Sequence, residues 1–286
     1  MKNLIEICKY KIARLLERNP LINIFLYNNI IHFPFFLPHE KDFHGIKLLV
    51  KSNKSNLFLD VGANNGISSL GFRQLGYENP IYMFEPNTFI YKKFLTKFRL
   101  RNNFKIFNYG LGVDNEIKDI FYPFYGNICL HYFGSSNKKY IKDSIKLTSP
   151  NYINKIKIVK SKMTLKKYDK LNFKKKIDFV KIDVEGHDLF VLEGMKNSIK
   201  KFSPIILVEF NIENFKEIYK FLNSYKAFIF KFDEKKFKRL RIKDFLGKSK
   251  ILARSHKKNL LSSRNVFFIP NNYQNISKNK KLFIKF

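Results

Sequence analysis

From residue 57 to residue 269, short apolar runs alternate with stretches whose apolar positions recur at helical spacing. The runs 57–62 (LFLDVG), 81–85 (IYMFE), 104–109, 177–184, 205–210, 227–232 and 266–269 are short and largely apolar, which predicts strands. Between them, 67–75, 89–101, 188–200 and 213–224 carry the period of amphipathic helices. In 89–101, Phe89, Phe94, Leu95 and Phe98 stand roughly at helical spacing. Gly76 stops the first helix and Pro86 closes the second strand. Such alternation predicts an α/β fold with a mostly parallel, seven-stranded sheet and helices on both faces. The interval 111–176 is too long for a plain connection and reads as an insertion. Further strands are expected there at 117–124 and 156–160, and a short helix is expected to start within 164–168.

Three regions follow from this pattern. Residues 1–50 are a helical, aromatic-rich N-terminal extension, 51–270 hold the α/β domain, and 271–286 form a polar, basic tail. Residues 1–18 are amphipathic and rich in Lys and Arg, not a basic stub followed by a clean apolar run, so no secretory signal is read there. The most apolar stretch, 21–38, contains Asn23, Asn28, Asn29, His32 and Pro34, which make it a poor spanning helix. A core-packing or interfacial segment is expected instead. The chain reads as cytoplasmic, with peripheral contact to an anionic membrane as an open alternative.

Composition narrows the classes. Of 286 residues, 45% are hydrophobic, enough to offset chain entropy and exclude overall disorder. The two cysteines, Cys8 and Cys129, cannot build a disulfide scaffold or a Cys-rich zinc site. The net charge of +32 first suggests a polyanionic partner. Yet only nine of the 55 basic residues are Arg, the side chain that forks onto phosphate. Lys spread over many surfaces attracts acidic, phosphorylated or membrane-bound substrates without naming one, and nucleic acid is not the expected partner.

The chemistry concentrates at strand ends. In Asp60-Val61-Gly62-Ala63-Asn64-Asn65-Gly66 a strand ends, glycines turn the chain and a helix starts. In a doubly wound sheet that loop lies where ligands bind. Glu85 closes the next strand, where an acid can hold both hydroxyls of a ribose. The turn is neither Gly-x-Gly-x-x-Gly nor a phosphate loop, which favours a nucleoside cofactor without a pyrophosphate. S-adenosylmethionine fits that description. A third group, Asp183, Glu185, His187 and Asp188, crowds acids and an imidazole at a strand end, which is costly unless they bind or pair with something. These types could ligate a metal, but no metal is expected.

The segments 58–66 (FLDVGANNG), 84–87 (FEPN), 108–112 (NYGLG), 178–188 (DFVKIDVEGHD), 192–194 (LEG) and 204–209 (PIILVE) together resemble the FkbM-type methyltransferase family. The likeness spans about 40–270. It implies the Rossmann-like class I S-adenosylmethionine-dependent fold and transfer of a methyl group to an oxygen. The expected acceptor is a hydroxyl of a glycan, a lipid-linked saccharide or a related metabolite. By the same resemblance, Asp60, Gly62, Ala63, Asn64 and Gly66 hold the methionine part, Glu85 the ribose, and Asn108 with its neighbours the adenine. Asp183 and Glu185 line the reaction site, Asp183 also touching cofactor. A hydroxyl is a weak nucleophile, so a base is needed. His187 is the candidate; alternatively it only caps the next helix, and Asp183 and Glu185 compete for the role. One departure stands out. Where the family has an acid after Met163-Thr164-Leu165, this chain has Lys166-Lys167, with its first acid at Asp169. Rival readings are an RNA or protein methyltransferase on the same fold, a glycosyltransferase, and a non-catalytic binding protein.

Overall fold

The computed structural model describes residues 38, 40–101, 103–130, 133–148, 150–209, 212–241, 265–273 and 280–284. The expectations for 1–37 lie outside them. The chain begins with helix α1 (Phe43–Leu49), then strand β1 (Leu57–Val61), helix α2 (Ile67–Gln74) and strand β2 (Ile81–Phe84). A helical segment of changing pitch follows, α-helical over Thr88–Ile90, π-helical over Tyr91–Leu95 and 3-10 over Thr96–Leu100. Strands β3 (Phe104–Phe107), β4 (Gly110–Leu111), β5 (Glu116–Tyr125) and β6 (Ile128–Cys129) come next, then helix α3 (Lys138–Thr148) and strand β7 (Ile156–Lys166). The second half holds β8 (Ile177–Ile182), α4 (Asp188–Gly194), α5 (Lys196–Phe202), β9 (Ile205–Glu209) and α6 (Ile212–Phe221). Strands β10 (Tyr225–Lys231), β11 (Lys236–Leu240), β12 (Asn265–Pro270) and β13 (Phe283–Ile284) complete it.

The main sheet runs β13-β11-β10-β12-β9-β8-β1-β2-β3. All seven expected strands are in it, but the sheet is corrected from seven strands to nine and is mixed. Strands β3, β2, β1, β8 and β9 are parallel neighbours. Strand β12 runs antiparallel to both β9 and β10, and β11 antiparallel to β10. The extra strands arise because β11 returns directly from β10 and β13, from the tail, pairs beside it at Phe237 and Lys238. Alternation divides the core between the two faces. Leu57, Leu59 and Val61 of β1 pack with Val191, Leu192 and Ile218, and Phe58 packs on the opposite face with Ile46, Phe72 and Leu95. Each such fully buried side chain stabilises the fold by about 1.5–3 kcal/mol.

The insertion is a second sheet, β4-β7-β5-β6, built on the antiparallel ladder between β5 and β7. The helix expected from 164–168 is instead strand through Lys166, because Met163 and Leu165 alternate into the small core of this sheet with Ile120 and Tyr122. A 3-10 turn follows at Tyr168–Lys170. Asp169, the displaced acid, accepts from the Asn197 and Ser198 backbone N–H groups at 2.7 and 2.9 Å and so caps α5. The expected helix 188–200 divides at Met195, where Gly194 packs against the Gly112 backbone so closely that a Cβ would collide with its carbonyl. In 88–100, Ile90, Phe94, Leu95 and Phe98 face the core, and Phe89 points outward, 41% exposed.

Candidate active site

In the parallel part of the sheet the strand order reverses between β1 and β8, so their carboxyl ends open a crevice. Gly62, at φ 80°, carries the chain out of β1 across the loop that leaves β8, and any Cβ there would collide with the Asp183 carbonyl. The Asp183 N–H donates to Val61 O at 3.0 Å, which locks the two loops together. Gly66, at φ 83°, starts α2, and a Cβ there would meet the Phe98 ring at 2.6 Å.

A cavity of about 620 Å³ fills the crevice. Of the sequence candidates, Gly62, Ala63, Asn64, Glu85, Asp183, Glu185 and His187 line it. Asp60, Gly66 and Asn108 do not. Asp60 is wholly buried beneath the turn, accepting from Ser69 Oγ at 2.6 Å. Asn108 is turned toward the chain after β2, its Nδ2 donating to Glu85 O at 3.1 Å and its Oδ1 accepting from Thr88 Oγ1 at 3.0 Å. Its neighbours Gly110, Leu111 and Gly112 reach the cavity instead.

Glu85 is held at both oxygens. Asn64 N–H donates to Oε2 and Asn87 N–H to Oε1, each at 2.9 Å. Burial pushes its carboxyl up to about 7 against those two bonds. Each oxygen keeps a further lone pair for a ligand. At the cavity wall, the buried Lys181 ammonium lies 3.0 Å from Asp183 Oδ2 and 3.8 Å from Asp60 Oδ1. Burial alone would lower its pKa, but Asp183 and then Asp60 hold it above the ordinary lysine value.

The loop after β8 carries the candidate reactive groups. His187 occupies the N-cap position of α4 without a side-chain capping bond. Its ring stays in the cavity, with Nε2 3.3 Å from Ser136 Oγ. Burial, then the nearby Lys118, lowers its pKa, so it is neutral at pH 7 and able to accept a proton. Tyr140 OH donates to Glu185 Oε2 at 3.1 Å. Burial, then Asp183, pushes the Glu185 carboxyl up to about 7. Oxygens of Asp183, Glu185 and Glu209 lie within 4.8 Å of one another. Such a trio can share a proton or take a hard cation. Glu209 thus joins the group in place of the weighed His187 and Asp188.

Lys181, Tyr140, Ser136 and Glu209 escape the sequence reading of the site. Glu209 had a usable signal, since it ends β9 as Asp183 follows β8, on adjacent parallel strands. Tyr140 had a weaker one. Asn137 Oδ1 accepts from Lys139 and Tyr140 N–H groups, and buried Ile141 and Ile145 sit one turn apart, marking a capped helix.

The parallel half of this mixed sheet, with an acid-closed second strand beside a glycine turn, has the arrangement of a nucleoside-binding α/β protein. Residues 60–230 match the Methyltransferase FkbM domain, and the chain belongs to the FkbM methyltransferase family. No curated protein shows a significant match. Among solved structures, an FkbM methyltransferase from Methylobacillus flagellatus KT is similar at 13% identity and TM-score 0.43, over 78% of this chain and 55% of that one. This chain therefore spans about half of that protein's length. A precorrin-6y C5,15-methyltransferase from Geobacter metallireducens GS-15 is similar at 11% identity and TM-score 0.37, over 80% and 84% of the two chains. A fibrillarin/Nop5p complex gives 14% identity and TM-score 0.32, over 65% and 70%. Among the described residues no helix is long and apolar enough to cross a membrane.

Proposed function

We propose that this methyltransferase uses S-adenosylmethionine and methylates a hydroxyl of a glycan or a related polyhydroxylated metabolite. The observation that carries the reading is Glu85, a buried carboxylate fixed by two backbone N–H groups at the cavity wall, the geometry of a receiver for a ribose diol. Charge supports it. In a chain of net charge +32, the cavity wall gathers Glu40, Glu85, Asp114, Glu116, Asp183 and two further acids against Lys118 and Lys181, which suits a cationic ligand. Asn64 Oδ1 and Tyr122 OH are buried polar atoms without partners on residues that line the cavity, and the amino and adenosine groups of the cofactor offer such partners.

Gly62, Ala63 and Asn64 would hold the methionine end, Glu85 the ribose and Gly110 to Gly112 the base, while Asp60 and Asn108 brace the turns that carry them. S-adenosylmethionine supplies an electrophilic sulfonium methyl when bound. On the acceptor side, His187 takes the hydroxyl proton at Nε2, and Glu185, tied to Tyr140, orients the acceptor or shares the proton. Positioning supplies much of the rate in such a displacement. The test is a calorimetric titration of S-adenosylmethionine into the full chain and into Glu85→Ala, followed by measurement of S-adenosylhomocysteine release with saccharide acceptors. Micromolar binding lost in the variant, with turnover on a saccharide, supports the reading; no binding by folded protein overturns it.

A further inference from the structure

An acid-free stretch runs from Pro86 to Val113, with Lys92, Lys93, Lys97, Arg99, Arg101 and Lys105 in it. It covers the helical segment and β3, the edge strand of the main sheet. Some surface lysines elsewhere find acids: Lys160 and Lys162 both reach Asp119 at 2.7 Å, and Lys170 reaches Asp114. Among the described residues none of these six cations pairs with an acid. They sit on rings instead, Arg99 over Tyr91, Arg101 over Phe98 and Lys105 over Tyr82. Arg101 lies close enough to Lys97 to disfavour its charge, after burial. Two apolar side chains stand out from the same segment. Leu100, between Arg99 and Arg101, is 93% exposed, and Phe89 is 41% exposed. The outward positions of 88–101 are otherwise Thr88, Lys92 and Lys93, and Ile90 beside Phe89 lines the cavity.

We infer that this edge is a docking face for an anionic lipid surface, on which Arg99 and Arg101 meet headgroup phosphates and Leu100 enters the acyl boundary, with the cavity wall at the Phe89 end of the segment. An unpaired cationic stripe carrying outward apolar side chains is the pattern of a peripheral membrane contact. Nucleic acid would use the cations but offers Leu100 no apolar environment to enter, which a lipid boundary does. The face stands independently of the cofactor and acceptor assigned above. It suits an acceptor held at a membrane.

The test is co-sedimentation of the full chain with vesicles of phosphatidylcholine and phosphatidylglycerol, against phosphatidylcholine alone. Binding to the anionic vesicles only is expected. Arg99→Gln with Arg101→Gln should weaken it about 25-fold, at about fivefold per cation. Leu100→Ser should weaken it about tenfold, with unchanged thermal unfolding because the side chain is exposed. A charge-matched control, Lys174→Gln with Lys175→Gln, should bind as wild type. Absence of vesicle binding, equal loss in the control, or retained binding in the Leu100 variant overturns the inference. So does an oligouridylate titration that shows the Arg99 and Arg101 dependence while vesicles show none.

Discussion

The Asn64 N–H points at Glu85 Oε2, 2.9 Å away, and this bond makes the glycine turn after β1 and the acid after β2 one unit. Asn64 reaches it from φ 49°, a left-handed conformation that Asn tolerates better than most residues. Glu85→Gln keeps the size of the side chain but puts an amide donor where one of the two N–H groups now donates. S-adenosylmethionine affinity should fall about 100-fold, the loss of one or two charge-assisted bonds. Isothermal calorimetry reads it directly.

Proton linkage gives a second expectation. Glu85 and Glu185 rise from 4.5 to about 7 and Asp188 from 3.8 to about 7, mainly through burial. The folded chain therefore holds these protons more tightly than the unfolded one. Their contribution is fully present below the unfolded values and is lost as pH rises toward about 7. The urea midpoint of the ligand-free protein should fall over that window, and fall less in Glu85→Gln.

Gly62 tests the switch point. In Gly62→Ala the new methyl strikes the Asp183 carbonyl and the residue keeps a left-handed φ. A loss of at least about 2 kcal/mol in stability is expected from strain and overpacking. Denaturant unfolding measures it, and S-adenosylmethionine binding should be lost with it.

Lys181→Met leaves Asp60 and Asp183 without their shared cation. Removing one partner of a buried ion group costs about 3–5 kcal/mol. Adding Asp60→Asn to the variant should restore part of the loss, because one of the stranded charges disappears. A double-mutant cycle by chemical denaturation gives the coupling, and purely additive losses would show that the two residues act separately.

His187 and Glu185 are separated by their pH profiles. If the imidazole is the base, His187→Ala lowers kcat by about 100-fold or more with unchanged S-adenosylmethionine affinity. The acidic limb of the kcat profile, set by a group below 6.5, then disappears. A limb that persists near 7 in His187→Ala and vanishes in Glu185→Gln moves the role to the carboxylate.

The parts of the fold legible in the sequence are those where local pattern and tertiary demand agree. The buried strands β1, β2, β8, β9 and β12 put apolar side chains into the core on both faces of the sheet. Legibility fails where neighbours decide. Residues 164–166 are strand because Met163 and Leu165 have a core to enter, and beside the break at Met195 the Gly112 backbone comes so close to Gly194 that no side chain would fit there. In the site, the turn and Glu85 are visible because one local loop imposes them. Glu209 and Tyr140 come from distant segments, and Asn108 is identifiable by motif while its orientation depends on Glu85 O and Thr88.

The place of β1 in the sheet also fixes a timetable. Beside its start, Asn56 bonds to Asp178, 122 residues further along the chain, and β1 itself pairs with β8 from Leu57 to Val61. Loop closure over that distance is slow, and parallel pairing cannot begin until the later strand exists. During synthesis the turn after β1 therefore emerges long before the Asp183 loop it packs on, and β1 and β2 wait with their apolar faces uncovered. The antiparallel ladder of β5 and β7 is more local and can form first. A nascent chain halted before residue 177 should thus hold a folded second sheet and no cofactor site, the stage at which a chaperone has most to cover.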